Sequence, residues 1–445
     1  MTEGGTTVRV GRRAAIGLTV AALVLLASFV VPPMTGWDVD ARSDMLGVPP
    51  THGFWQAKVG IGTLPALLVA GLGVWRAEAW ALAWSWRRLL LTAYVVALVW
   101  LVSLALVDGS AGLTRVMTND TEYLVTARTV SDVPALLAGY VERIPQAHPD
   151  NWPIHVAGHP PGALLFFVGL VAVGLGSDLA AALVVCAVAA SIPVATLVAL
   201  RALGVDRGAR LAAPFLVLTP AAVFLAVSAD AVFTALGAWG LAALALSATS
   251  PSRGRLIGWG VVAGLLLGWC VMSSYGLPLL GLPALAVLFL ARSWWPLPVA
   301  AGAALVVVLG FAVLGFAWWE AYPVLVERYW DGIASTRPAA YWMWGNLGAL
   351  LVSGGPLLGA GLAVAARRHE GEARTLAVLA LAGAAAVAVA DLSRMSKAEV
   401  ERIWLPFVPW LTLSLALLPG GWRRWGLGLQ VLTALVVQHL LYTTW

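Results

Sequence analysis

Two carboxylates stand close together in the stretch TNDTEYLVTARTV, residues 118–130, of a chain that otherwise avoids charge. Asp120 and Glu122 follow an expected apolar span. A carboxylate beside a low-dielectric wall gains basicity, which suits a general base acting near neutral pH. The same residues also fit an ordinary helix start, with Asp120 as cap. Further along, IHVAGHPPGALLFF sets His155 and His159 ahead of two stiffening prolines and a glycine that permits close approach. A histidine in such a turn can orient a hydroxyl or phosphate, or it can simply hydrogen-bond a loop carbonyl.

The densest charge cluster is ADLSRMSKAEVERIW, Ala390 to Trp404, where Arg394, Lys397 and Arg402 interleave with Asp391, Glu399 and Glu401. Arginine and lysine give charge-assisted hydrogen bonds to phosphate oxygens, so the cluster could hold a phosphate. An internally paired set of ions is the alternative. GWDVDARSD offers Asp38, Asp40 and Asp44, and the Asp-x-Asp spacing of the first two can hold a divalent cation, a pattern common in loops, and no metal is assigned. In the loop 318–345, Glu320, Glu327, Arg328, Asp331 and Arg337 mix with many aromatic residues. That composition suits stacking on sugar rings, and equally an interfacial aromatic belt. Asp230 and Tyr275 lie at helix ends, where they could line the same cavity or act as caps.

The elements that must position these groups are membrane helices. The chain has 445 residues, 60% hydrophobic and 11% charged, and its mean hydropathy of +0.87 is outside the range of water-soluble domains. An all-α integral membrane fold is expected, a polytopic bundle of about thirteen transmembrane helices with short juxtamembrane helices in an outer-face loop. The expected spans are 14–32, 58–75, 88–107, 179–200, 209–225, 231–247, 255–272, 277–291, 296–316, 346–366, 374–390, 403–419 and 425–442. The first, behind the basic RVGRR, reads as a retained signal anchor. Cys186 and Cys270 lie inside apolar runs and imply no disulfide or thiol metal site.

The remaining run, 161–177, is short and starts with two prolines. If it crosses fully, the basic loops 201–210 and 250–255 fall opposite the basic N-terminus, against the positive-inside bias; if it only dips into the membrane, every arginine-rich loop is cytoplasmic. The second reading is preferred. It collects segments 33–57, 108–160, 226–230, 273–276, 318–345 and 391–402 on the outer face of the plasma membrane. The net charge of +5 then reports topology, with no nucleic-acid partner.

With these residues in view, the chain resembles the GT-C glycosyltransferases, polytopic enzymes that use polyprenyl-phosphate sugars at the outer membrane face. NDTEY is similar to the acidic pair and tyrosine of their first long outer loop, and HPPG to their downstream His-Pro-Pro element. The spans containing LTPAAVFLAVSADAVF and LGWCVMSSYG are similar to the family's following helices. The resemblance covers roughly residues 88–290. The alanine- and tryptophan-rich style and EVERIWLPFVPW are similar to actinobacterial envelope transferases, including the type that places methylthioxylose on mannose-capped lipoglycans. Two features depart from the pattern: two extra spans precede the acidic loop, and the turn ends in glycine where leucine is commoner.

The resemblance implies an N-terminal two-helix extension (1–87), a catalytic module (88–290, with outer loop 108–160) and a C-terminal module (291–445, with outer loops 318–345 and 391–402). It implies inverting transfer of a pentose or mannose-type sugar from a polyprenyl-phosphate donor to an envelope glycan or lipoglycan acceptor. Asp120 is then the base, with Glu122 assisting, and Tyr123, His155, His159, Asp230, Tyr275, Arg394, Lys397, Glu399 and Arg402 bind substrate. No cofactor is called for, because polyprenyl phosphate is itself a leaving group. A transporter or flippase of lipid-linked precursors is the rival reading, although transporters tend to bury ionisable residues near mid-membrane.

Overall fold

The computed structural model describes residues 3–41 and 47–443, with side chains from residue 9, so Asp44 lies outside the described residues. Helices make up most of it, because a backbone in lipid must satisfy its own hydrogen bonds. The one sheet among the described residues is an antiparallel pair, Gly53–Trp55 against Leu441–Thr443.

Nine helices among the described residues are long and apolar enough to cross a membrane: Arg9–Thr35, Thr63–Ala83, Trp86–Asp108, Asp178–Ala202, Ala229–Ala248, Arg253–Val271, Pro296–Val313, Gly371–Leu392 and Val400–Leu417. The protein is an all-α polytopic membrane protein. Each of the nine overlaps an expected span, and the other four expected spans take different forms. Run 209–225 holds the Arg207–Val217 helix, with Pro214 inside it, and a separate turn at Ala222–Leu225. Proline removes a ladder donor and restricts the residue before it, so Pro214 and Pro220 break up this run. Run 277–291 is a 3-10 turn, Leu277–Leu280, joined to the short Gly281–Ala291 helix. Run 346–366 falls in Ala339–Gly354 and Leu357–Ala365, which meet at 103° at Gly355, held at φ +82° where a side chain would be strained. Run 425–442 lies in the Gly420–Leu440 helix, whose Arg423, Arg424, Gln430, Gln438 and His439 dilute its apolar character.

Run 161–177 contains only the 11-residue helix Gly162–Ala172. At about 1.5 Å per residue it covers roughly half of the hydrocarbon core, too short to cross alone.

Small residues set the closest helix contacts, as they do where lipid supplies no hydrophobic drive between helices. A Cβ on Gly17 would lie 2.2 Å from the Gly359 carbonyl oxygen, and one on Gly264 would lie 2.2 Å from that of Ala300. The first contact docks the N-terminal helix on Leu357–Ala365. The second pairs Arg253–Val271 with Pro296–Val313.

Polar contacts gather at two opposite ends of the bundle, as the Gly420–Leu440 helix illustrates. Near its start, Arg423 makes a two-pronged ion pair with Glu78 at 3.0 and 2.9 Å; near its finish, Gln438 donates to Asp108 at 3.0 Å. The Arg423 end also holds Arg210, which donates to the carbonyls of Ala81 and Trp84. There Glu372 accepts the Gly208 N–H at 2.6 Å. The Asp108 end holds the segments now described.

Candidate active site

The acidic turn is built by Asn119. Its Oδ1 accepts the N–H and hydroxyl of Thr121 at 3.0 and 2.9 Å, and its carbonyl accepts the Glu122 N–H. This tight turn separates the two acids. Asp120 is exposed and makes no hydrogen bond or ion pair with the described residues, while Glu122 is buried. Asp120 is therefore not a helix cap; the short helix Tyr123–Ala127 starts after Glu122 with no side-chain cap.

Glu122 enters a buried ion cluster centred on Arg402. Arg402 donates to Glu122 Oε1 at 2.8 Å, its Nε lies 2.9 Å from Asp230 Oδ2, and another nitrogen lies 3.1 Å from His155 Nδ1. An arginine N–H can only donate, so His155 Nδ1 accepts and the ring proton sits on Nε2, 3.6 Å from Glu122 Oε1. Burial lowers the His155 pKa, with Glu122 opposing. Burial raises that of Glu122, but Arg402 and His155 outweigh it and hold the carboxyl below its ordinary value. One guanidinium thus draws together residues from the acidic turn, the histidine segment and the start of the Ala229–Ala248 helix.

The His-Pro-Pro-Gly turn is clamped to the end of the Arg253–Val271 helix. His159 Nδ1 is 3.0 Å from the Ser273 carbonyl oxygen, so that nitrogen carries the proton, and the Gly162 N–H donates to the Met272 carbonyl at 2.7 Å. A Cβ on Gly162 would sit 2.4 Å from that oxygen, which is why the turn ends in glycine. Burial pushes the His159 pKa down to about 4, leaving the ring neutral at physiological pH. Tyr123 stacks on Phe167 and meets the His159 ring edge-on. Among the described residues the buried hydroxyls of Tyr123 and Tyr275 have no hydrogen-bond partner. Tyr275 leans on Trp318 and Tyr322.

The cation cluster is divided rather than convergent. Lys397 is buried, its ammonium donating to the Ala334 and Arg337 carbonyls at 2.9 and 3.0 Å, above the Trp330 ring. Burial and the neighbouring Arg394 and Arg337 depress its pKa. Arg394 is exposed, and among the described residues its guanidinium has no hydrogen bond or ion pair; its carbonyl accepts the Tyr329 hydroxyl. Of the three cations, only Arg402 joins the carboxylates.

The loop carrying them is held in strained form, with Arg394, Ala398 and Glu399 at φ of 57, 70 and 63°. Such backbone costs about 1–3 kcal/mol per residue and persists only where its surroundings dictate it. Buried Asn346 supplies part of that constraint by donating to Asp391 and the Ser396 carbonyl and accepting the Ala398 N–H.

Sequence reasoning missed one contributor, His52, and named another, Arg337, only as part of an aromatic-rich loop. His52 Nδ1 lies 3.7 Å from Glu399 Oε1, and Arg337 lies 3.5 Å from the same oxygen. Arg337 also donates to the Lys397 and Asp40 carbonyls. Burial raises the pKa of Glu399, but His52, Arg337 and His155 together depress it well below the carboxylate range. The available signal was VPPTHG, a rare histidine beside two prolines, as in GHPPG. Asp38 Oδ1 accepts the Asp40 N–H, and Asp40 accepts the Thr336 hydroxyl. Among the described residues, no group of His, Cys, Asp and Glu could hold a metal ion.

An apolar groove of about 890 Å³ is lined by residues including Phe166, Val232, Trp239, Trp259 and Trp269. The groove shares the Ala229–Ala248 helix with the cluster, since Val232 lines it and Asp230 pairs with Arg402. It continues along the Ala229–Ala248 and Arg253–Val271 helices. Comparison with protein-family models, with curated proteins and with solved structures finds no match.

Proposed function

We propose that the protein is a GT-C-like inverting glycosyltransferase of the plasma membrane, moving a pentose or mannose-type sugar from a polyprenyl-phosphate donor to an envelope glycan or lipoglycan. The observation that carries this reading is the exposed Asp120 two residues from Glu122 of the buried ion cluster, together with a long apolar groove along the Ala229–Ala248 helix that supplies Asp230 to the same cluster. The groove accepts the prenyl chain, whose burial contributes about 25 cal/mol per Å² of apolar surface. The sugar sits against the unpartnered Tyr123 and Tyr275 hydroxyls. With its neighbours facing outward, the site works on the extracytoplasmic side, and the arginine-rich end is cytoplasmic.

Asp120 takes the proton of the acceptor hydroxyl as that oxygen bonds to the anomeric carbon. The carbon–oxygen bond to phosphate breaks with both electrons leaving on the polyprenyl phosphate. Exposure leaves Asp120 accessible to an incoming acceptor. Glu122, held by Arg402, instead fixes the cluster. Because Arg402 and Lys397 are already engaged, Arg394 is assigned to the departing phosphate, where a positioned charge stabilises the developing anion.

A flippase of lipid-linked precursors is the second reading, favoured by the sharply bent helix pair at Gly355, since broken helices recur at transport sites. Purified protein incubated with a radiolabelled polyprenyl-phosphate sugar panel and an envelope glycan acceptor separates the two. Label in the glycan supports transfer. Movement of donor across a vesicle membrane without label in glycan supports the flippase.

A further inference from the structure

The arginine-rich end of the bundle has a cavity of its own, of about 420 Å³, lying far from the ion cluster. Its floor is apolar, formed by Val10, Leu211, Val364 and Leu376, and its polar lining includes Arg207, Arg367, His369, Glu372 and Arg423. The charges there do not cancel. Glu372, the one acid lining the cavity, is turned to the start of the Arg207–Val217 helix, accepting the Gly208 N–H at 2.6 Å. Arg423 is committed to Glu78 and the Leu418 carbonyl. The Arg207 and Arg367 guanidiniums have no hydrogen bond or ion pair among the described residues, and His369 Nε2 is held by the Val364 carbonyl at 2.9 Å.

Two uncommitted guanidiniums above an apolar floor match an amphiphile with an anionic head. A small free anion would use the arginines and leave the floor in water. We propose that this cavity binds the headgroup phosphate of an anionic phospholipid, with Arg207 and Arg367 on the phosphate oxygens and the first part of the acyl chain along Leu211 and Leu376. Basic pockets between membrane helices recognise anionic headgroups in this manner, through planar guanidinium pairing with phosphate. The inference does not depend on sugar transfer, and its test reads lipid alone.

The full-length protein is purified in detergent, supplied with equal phosphatidylglycerol and phosphatidylcholine, and examined by native mass spectrometry. Wild type is expected to retain phosphatidylglycerol preferentially. Arg207→Gln and Arg367→Gln together should weaken that retention by about fivefold for each arginine removed. Arg253→Gln with Arg255→Gln, which removes two arginines of another basic loop, should leave retention unchanged, and melting temperatures confirm that both variants are folded. Equal retention of the two lipids, or equal losses in the two double variants, would overturn the proposal. A parallel arm supplies inorganic phosphate alone: thermal stabilisation by phosphate, lost in Arg207→Gln/Arg367→Gln and unaccompanied by lipid selectivity, would reassign the cavity to a soluble phosphate and overturn the lipid assignment.

Discussion

At the scale of single residues, Arg402 decides the most. It is 4% exposed and faces two carboxylates and an imidazole. Removing one member of a buried ion pair strands the others, at about 3–5 kcal/mol. Arg402→Gln should lower thermal stability by that amount in detergent. Adding Glu122→Gln should recover part of the loss, since one stranded charge disappears with it. Additive losses in the double variant would contradict the pairing.

His159 sets a pH dependence. Its folded pKa of about 4 lies below the ordinary 6.5. Between those values the unfolded chain binds a proton that the folded chain refuses. Stability is therefore fully present above about pH 6.5 and falls by about 3 kcal/mol as the pH drops towards 4, levelling below that. Unfolding measured across this window should show the fall, and His159→Gln should flatten it. An unchanged slope in the variant would remove the buried neutral imidazole.

The presence of reactive types in the segments between apolar runs was legible in the sequence, because ionised groups avoid lipid and stand out there. Their pairing was not. Arg402 and Glu122 lie 280 positions apart, and nothing local in NDTE says which acid turns inward; that choice belongs to Asn119 and to the guanidinium awaiting Glu122.

At the scale of elements, long uninterrupted helices were readable because length and apolarity together fix them. The four runs that differ are those where proline, a positive-φ glycine or scattered polar residues interrupt the pattern. The short Gly162–Ala172 helix owes its placement to the preceding turn. Gly162→Ala would press a methyl group against the Met272 carbonyl and prise His159 from Ser273. A loss of roughly 1–3 kcal/mol is expected from such overpacking, along with sharply reduced transfer. Melting temperature and transfer rate check it together. A stable, active variant would show that the clamp is dispensable.

At the scale of the whole molecule, the described residues before Lys58 are woven into the rest. The N-terminal helix docks through Gly17 on Gly359, Asp40 and His52 meet Arg337 and Glu399, and Gly53–Trp55 pairs with Leu441–Thr443. A chain starting at residue 58 should thus fail to give monodisperse protein in size-exclusion chromatography. Recovery of a folded, active truncation would make the segment an appendage. The boundary expected at residue 87 came from the family resemblance, and helical spans alone carry no sign of contacts between such distant segments.

The sugar-transfer reading itself depends on Asp120 as the proton acceptor at the mouth of the cluster. The decisive measurement is the rate of label transfer from a radiolabelled polyprenyl-phosphate sugar to envelope glycan by wild type and by Asp120→Asn at matched folded concentration. Loss of general-base help should slow transfer by about 10²–10⁴-fold, with melting temperature unchanged because the side chain is exposed and unpaired among the described residues. Transfer by Asp120→Asn at the wild-type rate would contradict the proposed chemistry.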